Sequence, residues 1–486
     1  MADLIRRDIW ALEEEAGAWH PITEAYARAV GIMQARQPDD PTSWAYQAAV
    51  HGVPAGLPRD QFVDQCQHNT WFFLPWHRTY LYWFERVVRA ALQEIDEVSH
   101  EVRSSWALPY WNYDRGGGSA ALPPAFIEPM LPDGETANPL FTELRDPSIA
   151  SGGELHPLAV SAARALAEGF FAHDPIPGGS VGFGGPVTGW NHFDESADAA
   201  PGALEQTPHN AVHGGVGGPG GLMSAFDTAP LDPVFWMHHA NIDRLWAEWL
   251  KQDGRENPPE SAWADEPFDF HDESGTPVRM MSSEVVDPGR LEYEYEEAAV
   301  PALFGGGGEG MSPAQPPPDR PPELVGATDA PLTLEGRAEQ VAIPLSEPAG
   351  PALVADASEP ARVYVNVEGI KGKQNPGLSY AVYVNLPDDE HAGTAGHHHV
   401  GNLSFFGIER AQDVDVDHPG GHGLRYVFDI TELANELRAE GRWDPAQARV
   451  TFEPIRPLPP PGQEEAAGAA EAVPPVEIGR VGIYYQ

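Results

Sequence analysis

The chain changes its hydrophobic period once, across a stretch that no compact element tolerates. Residues Phe304-Gly-Gly-Gly-Gly-Glu-Gly310 lead into Ser312-Pro-Ala-Gln-Pro-Pro-Pro-Asp-Arg-Pro-Pro322, glycine flexibility followed by proline stiffness, which is the composition of a linker. Before it the period is helical. Between Trp76 and Glu97, residues Leu81, Phe84, Val88, Leu92 and Ile95 recur at three- and four-residue spacing, with Pro75 near the first turn. A second helix is expected with Asp232 as N-cap and Pro233 at N1, running through Trp246 and stopping near Gly254, and a third with Thr207 as cap and Pro208 at N1. After the linker the period is two, in Arg362–Val367, Tyr380–Asn385, Leu403–Phe406, Arg449–Phe452 and Val481–Tyr485, with one helical run, Thr431 to Arg438. Pro454 to Pro475 reads as a long loop. The pattern predicts a mainly α chain: a helical bundle over residues 1–303, a linker over 304–330, and an antiparallel β-sandwich-like domain over 331–486.

Charge narrows the partners. Of 486 residues, 29 are Lys or Arg and 73 are Asp or Glu, a net charge of −44. Such a surface repels phosphate backbones and anionic lipid, which excludes nucleic acid and membrane as partners and leaves small molecules. With 42% hydrophobic residues and 14 Trp the chain is too apolar to be a disordered polyanion. Cys66 stands alone, so no intrachain disulfide forms. The first ten residues carry Arg6, Arg7 and Asp8 with no apolar run behind them, and no apolar stretch approaches the ~18 residues of a bilayer span. A cytoplasmic chain is expected. Oligomeric state leaves no mark in the sequence.

Six of the 19 histidines form two ordered triplets: His51, His68 and His77, then His209, His213 and His239. His209 and His213, at i and i+4, project from one helical face. Lone pairs of this kind commonly sit on a surface or in a core; two triplets on separate segments are how bundles build a buried dinuclear site. Three neutral imidazoles per ion, with no carboxylate or thiolate, suit copper, zinc or nickel, and intrinsic affinity favours copper.

Phe73-Leu-Pro-Trp-His-Arg-Thr-Tyr-Leu81 and Asp232-Pro-Val-Phe-Trp-Met-His-His-Ala-Asn-Ile-Asp-Arg-Leu-Trp246 closely resemble the two copper-binding signatures of the tyrosinase and polyphenol oxidase family of coupled dinuclear copper proteins. The likeness extends back through Asp40–Gly52 and covers most of residues 1 to 250. It implies two copper ions, with O2 as co-substrate: His51, His68 and His77 at one ion (site A), and His209, His213 and His239 at the other (site B). In the pair His238-His239 it selects the second, three residues before Ile242-Asp243, and leaves His238 as a neighbour. Cys66-Gln-His68 resembles the Cys-x-His of fungal and molluscan members, which implies a thioether from the Cys66 sulfur to the His68 ring.

Around site B, Gly202–Asn210 resembles the plant-type run in which a glutamate four residues before the first ligand holds a water, which places Glu205 and Asn210 in those roles. A phenol, with pKa near ~10, must lose its proton to bind a metal, so a positioned basic water is needed. Phe226 matches a plant position whose ring leans over site A. Asp243 and Arg244 match a pair that braces the ligands, and Asn112 replaces the family's usual aspartate. Residues Ala264 to Tyr295 look like the connecting segment (264–300) of plant polyphenol oxidases without its Asp-Trp-Leu, and Tyr426–Ile430 like an element of their C-terminal β-domain. That domain is then an intramolecular lid that keeps the enzyme latent. His397-His-His399 reads as a solvated cluster, with copper hand-over as the alternative.

The resemblance implies ortho-hydroxylation of small monophenols and oxidation of o-diphenols to o-quinones. A diphenol or o-aminophenol oxidase without the hydroxylation step is the nearest alternative. A hemocyanin-like oxygen carrier and a dizinc hydrolase are more distant ones.

Overall fold

A computed structural model describes residues 4–17, 19–53, 61–174, 179–190, 200–297, 321–346, 362–387, 396–412, 422–463 and 473–486. Much of the expected linker, 304–320, lies outside them. No described helix is long and apolar enough to cross a membrane.

Four helices carry the N-terminal part. Phe73–Leu92 packs against both Pro21–Ala35 and Val234–Leu250, and Trp44–His51 lies beside Pro21–Ala35. Val234–Leu250 is buried on nearly every side, the mark of a central helix rather than an amphipathic surface one. Phe84 stacks on Trp236 with ring centroids 3.4 Å apart, joining the Phe73–Leu92 and Val234–Leu250 helices. Aromatic pairs add about 0.5–1.5 kcal/mol beyond the area they bury.

The helix expected from Trp76 begins at Phe73, so Pro75 sits inside its first turn, where its missing N–H goes unneeded. The Val234–Leu250 helix starts one residue later than expected, with Pro233 at the N-cap, and the Asp232 carboxylate before it accepts from the Val234 amide at 3.0 Å while pairing with Arg145 at 2.7 Å. Thr207 stands at the expected boundary: its backbone is extended (φ −150°, ψ 126°) between a helical turn from Glu205 and the helical run that Pro208 opens and Ala211–Gly217 continues, although its hydroxyl makes no capping bond among the described residues.

The C-terminal part is two antiparallel sheets. One has the order Leu424–Asp429, Val363–Lys371, Val476–Tyr485, Glu323–Ala327, with Leu332–Leu334 also on Val476–Tyr485; the other runs His399–Leu403, Ser379–Val384, Gln447–Ile455, Glu339–Pro344. Glu323–Ala327 falls inside the stretch expected as linker. The β-domain therefore starts before residue 331, and the strand is short with only Val325 buried, too weak an alternation to stand out behind a proline run. Residues 464–472 of the expected loop Pro454–Pro475 lie outside the described residues, and Gln447–Ile455 enters it by two residues.

The connecting segment forms a hairpin, Pro267–His271 with Pro277–Met281, and then a strand, Tyr293–Tyr295, parallel to Leu4–Arg6. That pairing closes the back of the helical core.

Candidate dicopper site

The six histidines converge at 0–3% exposure. His51 ends the Trp44–His51 helix, His77 lies one turn into Phe73–Leu92, His213 is in Ala211–Gly217 and His239 in Val234–Leu250. His68 comes from a loop, not from a fourth helix of the bundle. Ring centroids within the first trio lie 5.2–5.6 Å apart and within the second 4.6–5.6 Å. The trios meet where His77 stacks on His239 at 4.5 Å.

Orientation is fixed from outside. The Nδ1 atoms of His51, His77 and His213 face the carbonyls of Phe226 (2.8 Å), Phe73 (2.7 Å) and Met223 (2.8 Å). Those of His68 and His209 face the carboxylate of Glu205 (2.9 Å) and the amide oxygen of Asn210 (2.8 Å). Each oxygen accepts from a ring N–H, so five rings present a bare Nε2 to the interior. The Nε2 atoms of His77 and His209 are buried with no hydrogen-bond partner among the described residues. Native interiors rarely leave such atoms unpaired unless something binds there. Burial, reinforced by neighbouring imidazoles, holds His68, His77, His213 and His239 well below the usual histidine range, and burial lowers His209 to about 3. The rings are neutral at pH 7, the form a metal requires. Two groups of buried ligand atoms, each within 4.8 Å of one another and all from imidazole, fit a copper pair.

The second group has four members. His238 joins His209, His213 and His239, and neither of its ring nitrogens has a partner among the described residues. Only His239 faces both trios, with its Nε2 3.4 Å from that of His213 and its ring on His77. The His238 ring lies on the far side of site B, 5.0 Å from His213 and 5.4 Å from His209, with Tyr113 at 5.8 Å.

Glu205 is fully buried. Its carboxylate also accepts from the Asn69 amide at 3.0 Å, and burial pushes it up to about 8. Phe226 lies flat on His68, centroids 4.3 Å apart and planes 13° apart. Cys66 is buried and outside any disulfide; its amide donates to the His51 carbonyl at 3.2 Å.

Asp243 and Arg244 are not a pair. The Asp243 carboxylate accepts from Arg78 and from Arg6 (3.3 Å), Tyr293 (2.6 Å) and Tyr295 (2.5 Å). Burial works against its charge, but the two guanidiniums hold it below the usual carboxylate range. Among the described residues none of its polar partners is a histidine. Because Arg78 follows His77, the contact joins the helices of the two trios, and Arg78 also donates to Val285 and Val286 of the connecting segment. Arg244 instead bonds Asn241 (2.9 Å) and Asn112 (3.2 Å), so Asn112 keeps a contact in place of the family's aspartate.

The β-domain reaches into the site. Phe406, 2% exposed, lies over His213 at 3.9 Å and within 5.7 Å of His68 and His209, with Phe226 4.5 Å away. Arg410 fastens the same segment, donating to Asp64 (2.9 Å) and the Val53 carbonyl (3.1 Å). Neither residue was singled out by sequence; Phe406 closed an expected strand. The one hint was Phe405-Phe406-Gly407, where two adjacent aromatics cannot both face one sheet surface. His398 and His399 are also buried, His398 facing the Val384 carbonyl and His399 facing Asn402, so only His397 fits the solvated cluster.

A family model described as the common central domain of tyrosinase matches residues 41–156 and 178–252, and one described as the polyphenol oxidase middle domain matches 258–303. Tyrosinase HcTyr1 of Hahella sp. (strain CCB-MM4) is 32% identical over 480 residues, spanning 92% of this chain and 95% of that protein. The chain belongs to the tyrosinase and polyphenol oxidase family. Residues 321–486 match a model described as a domain of unknown function. (+)-Larreatricin hydroxylase of Larrea tridentata is 27% identical, spanning 86% of this chain and 71% of its own. The fold is shared with latent apple tyrosinase (TM-score 0.64, 23% identity, 99% of this chain and 96% of that one) and with latent aurone synthase (0.60, 22%, 96% and 86%). A dinuclear copper oxidase of this family, with its own C-terminal domain folded over the site, accounts for the histidine groups and the covering phenylalanine together.

Proposed function

We propose that this chain is a latent tyrosinase that ortho-hydroxylates small monophenols and oxidises o-diphenols to o-quinones. The observation that carries the reading is a buried carboxylate, Glu205, on the His68 ring of site A together with a buried amide, Asn210, on the His209 ring of site B. His51, His68 and His77 hold one ion, and His209, His213 and His239 the other. The bound copper pair supplies O2 activation and accepts the two electrons that leave a catechol.

The chain's own residues do the rest. A water held between the Glu205 carboxylate and the Asn210 amide takes the hydroxyl proton of an incoming phenol, and Glu205 also keeps the His68 ring turned for ligation. Apolar walls from Phe226 and the helical core orient the ring and exclude bulk water. Overall, a monophenol and O2 give an o-quinone and water, while two catechols and O2 give two quinones and two waters. A thioether between Cys66 and His68 would lock that ring further, and the intact protein would then weigh two hydrogen atoms less than its sequence.

Phe226, flat on His68, favours the narrower reading, an oxidase of o-diphenols alone, because it restricts approach to site A. Initial rates on tyramine and dopamine, with the lid loosened by mild anionic detergent, separate the two. Hydroxylation of tyramine supports the first, and quinone from dopamine alone supports the second.

A further inference from the structure

Asn210 has two polar ends, both engaged in the closed chain. Its amide oxygen faces His209, and its amide nitrogen donates at 3.3 Å to the hydroxyl of Tyr426, which comes from the β-domain strand Leu424–Asp429. Asn210 is 4% and Tyr426 1% exposed. The Ser404 amide, two residues before Phe406, opposes the burial of the same hydroxyl. Burial raises the Tyr426 phenol well above the usual tyrosine range, and the Glu205 carboxylate is near enough to add to the effect. The hydroxyl oxygen therefore takes the Asn210 donor that would hold the proton-accepting water, within electrostatic reach of Glu205.

We propose that Tyr426 is a second, chemical element of latency: its hydroxyl occupies the place of the water between Asn210 and Glu205, so the closed lid disables phenol deprotonation as well as blocking entry with Phe406. This rests on the assignment of Glu205 and Asn210 to proton transfer. The two elements affect different substrates. A plug excludes mono- and diphenols alike, whereas loss of the proton acceptor weighs most on the monophenol, the weaker acid with a single hydroxyl to ionise. Replacing Tyr426 with Phe keeps the ring and its packing and frees one oxygen-sized space beside Asn210, enough for a water with polar partners.

The test compares the ratio of initial tyramine hydroxylation to dopamine oxidation, primed with trace catechol to remove any lag. It uses full-length copper-loaded chain as wild type opened by mild anionic detergent, Phe406→Ala without detergent, and Phe406→Ala with Tyr426→Phe. The ratio is insensitive to a lid that merely loosens, which raises both rates. The expected ratio for Phe406→Ala is about tenfold below that of the opened wild type, within the range a positioned base contributes, and adding Tyr426→Phe recovers most of it. Equal ratios in Phe406→Ala and the opened wild type overturn the role of Tyr426 and leave the monophenolase reading standing. Absence of tyramine hydroxylation in the opened wild type overturns both. Phe406→Gly gives the same comparison should the alanine variant fold poorly.

Discussion

Phe406 of the β-domain lies face to face with His213, ring centroids 3.9 Å apart and planes 15° apart. A ring in that position fills the space a phenol needs above the copper-binding imidazoles, so closure of the lid and occupancy by substrate are mutually exclusive. Blocked entry then follows from one side chain's position rather than from any distortion of the site.

Removing that ring opens the pocket without unfolding the lid. Phe406→Ala in the intact chain is expected to raise dopamine oxidation in the absence of any activator by at least about tenfold, the equivalent of ~1.4 kcal/mol in the closed-to-open balance, with copper content unchanged. Quinone formation followed spectrophotometrically checks it.

Gly407 offers a way to loosen the lid while leaving the plug intact. Its φ is +82°, and a Cβ there would lie 2.6 Å from the Cζ of Phe226, a ring with no room to retreat because it already rests on His68. Gly407→Ala therefore disfavours the closed form sterically and by left-handed strain. Basal dopamine oxidation should rise several-fold, and the detergent needed for full activity should fall.

Asp243 is the knot behind the site. Removing one partner from a buried ion cluster leaves uncompensated charge at a cost of about 3–5 kcal/mol, so Asp243→Ala, which leaves Arg78 without a carboxylate and Arg6 with Glu85 alone, should lower the melting temperature sharply and weaken copper retention at both ions. Asp243→Asn, keeping the shape but not the charge, should lie between. Differential scanning calorimetry with a chelator titration reads both effects.

Asp114 gives a pH signature. Burial raises its carboxyl from 3.8 to about 6, opposed by the Ala162 amide and Arg244. A carboxyl raised in the folded state favours folding while protonated, so its contribution is present below about pH 4, is lost as pH rises toward 6, and stays lost above. The shift corresponds to at most about 3 kcal/mol. Asp114→Asn, which keeps an oxygen for the Ala162 amide, should be more stable than wild type at pH 8 and no more stable at pH 4, as measured by melting temperature against pH.

Much of the site was readable because its chemistry is local in the chain. His209 and His213 are one helical turn apart, and His77 and His239 sit early in helices whose proline and capping residues mark their starts. What escaped depends on contacts between distant segments. The oxygens that aim His51 and His213 are backbone carbonyls of Phe226 and Met223, which every residue possesses, so no side-chain pattern announces them. Phe406 looked like the last residue of a strand, and only the docking of two domains shows it over His213. Asp243 was read beside its neighbour Arg244, yet its partners are Arg78 and Arg6, drawn in by the packing of two helices and a parallel strand pair. His398 and His399 read as polar surface in a histidine run; the strand beginning at His399 buries that ring, and His398 is buried just ahead of it.

Metal analysis of the purified full-length chain tests the central claim most directly, together with the same analysis of His77→Ala, His239→Ala and His238→Ala. The six-imidazole arrangement predicts two copper ions per chain in the wild type, matching the two histidine groups. It predicts loss of copper in the His77 and His239 variants and retention of both ions in His238→Ala. A wild-type chain that binds a single copper, or a His238 variant that loses copper while the His239 variant keeps it, would contradict the account.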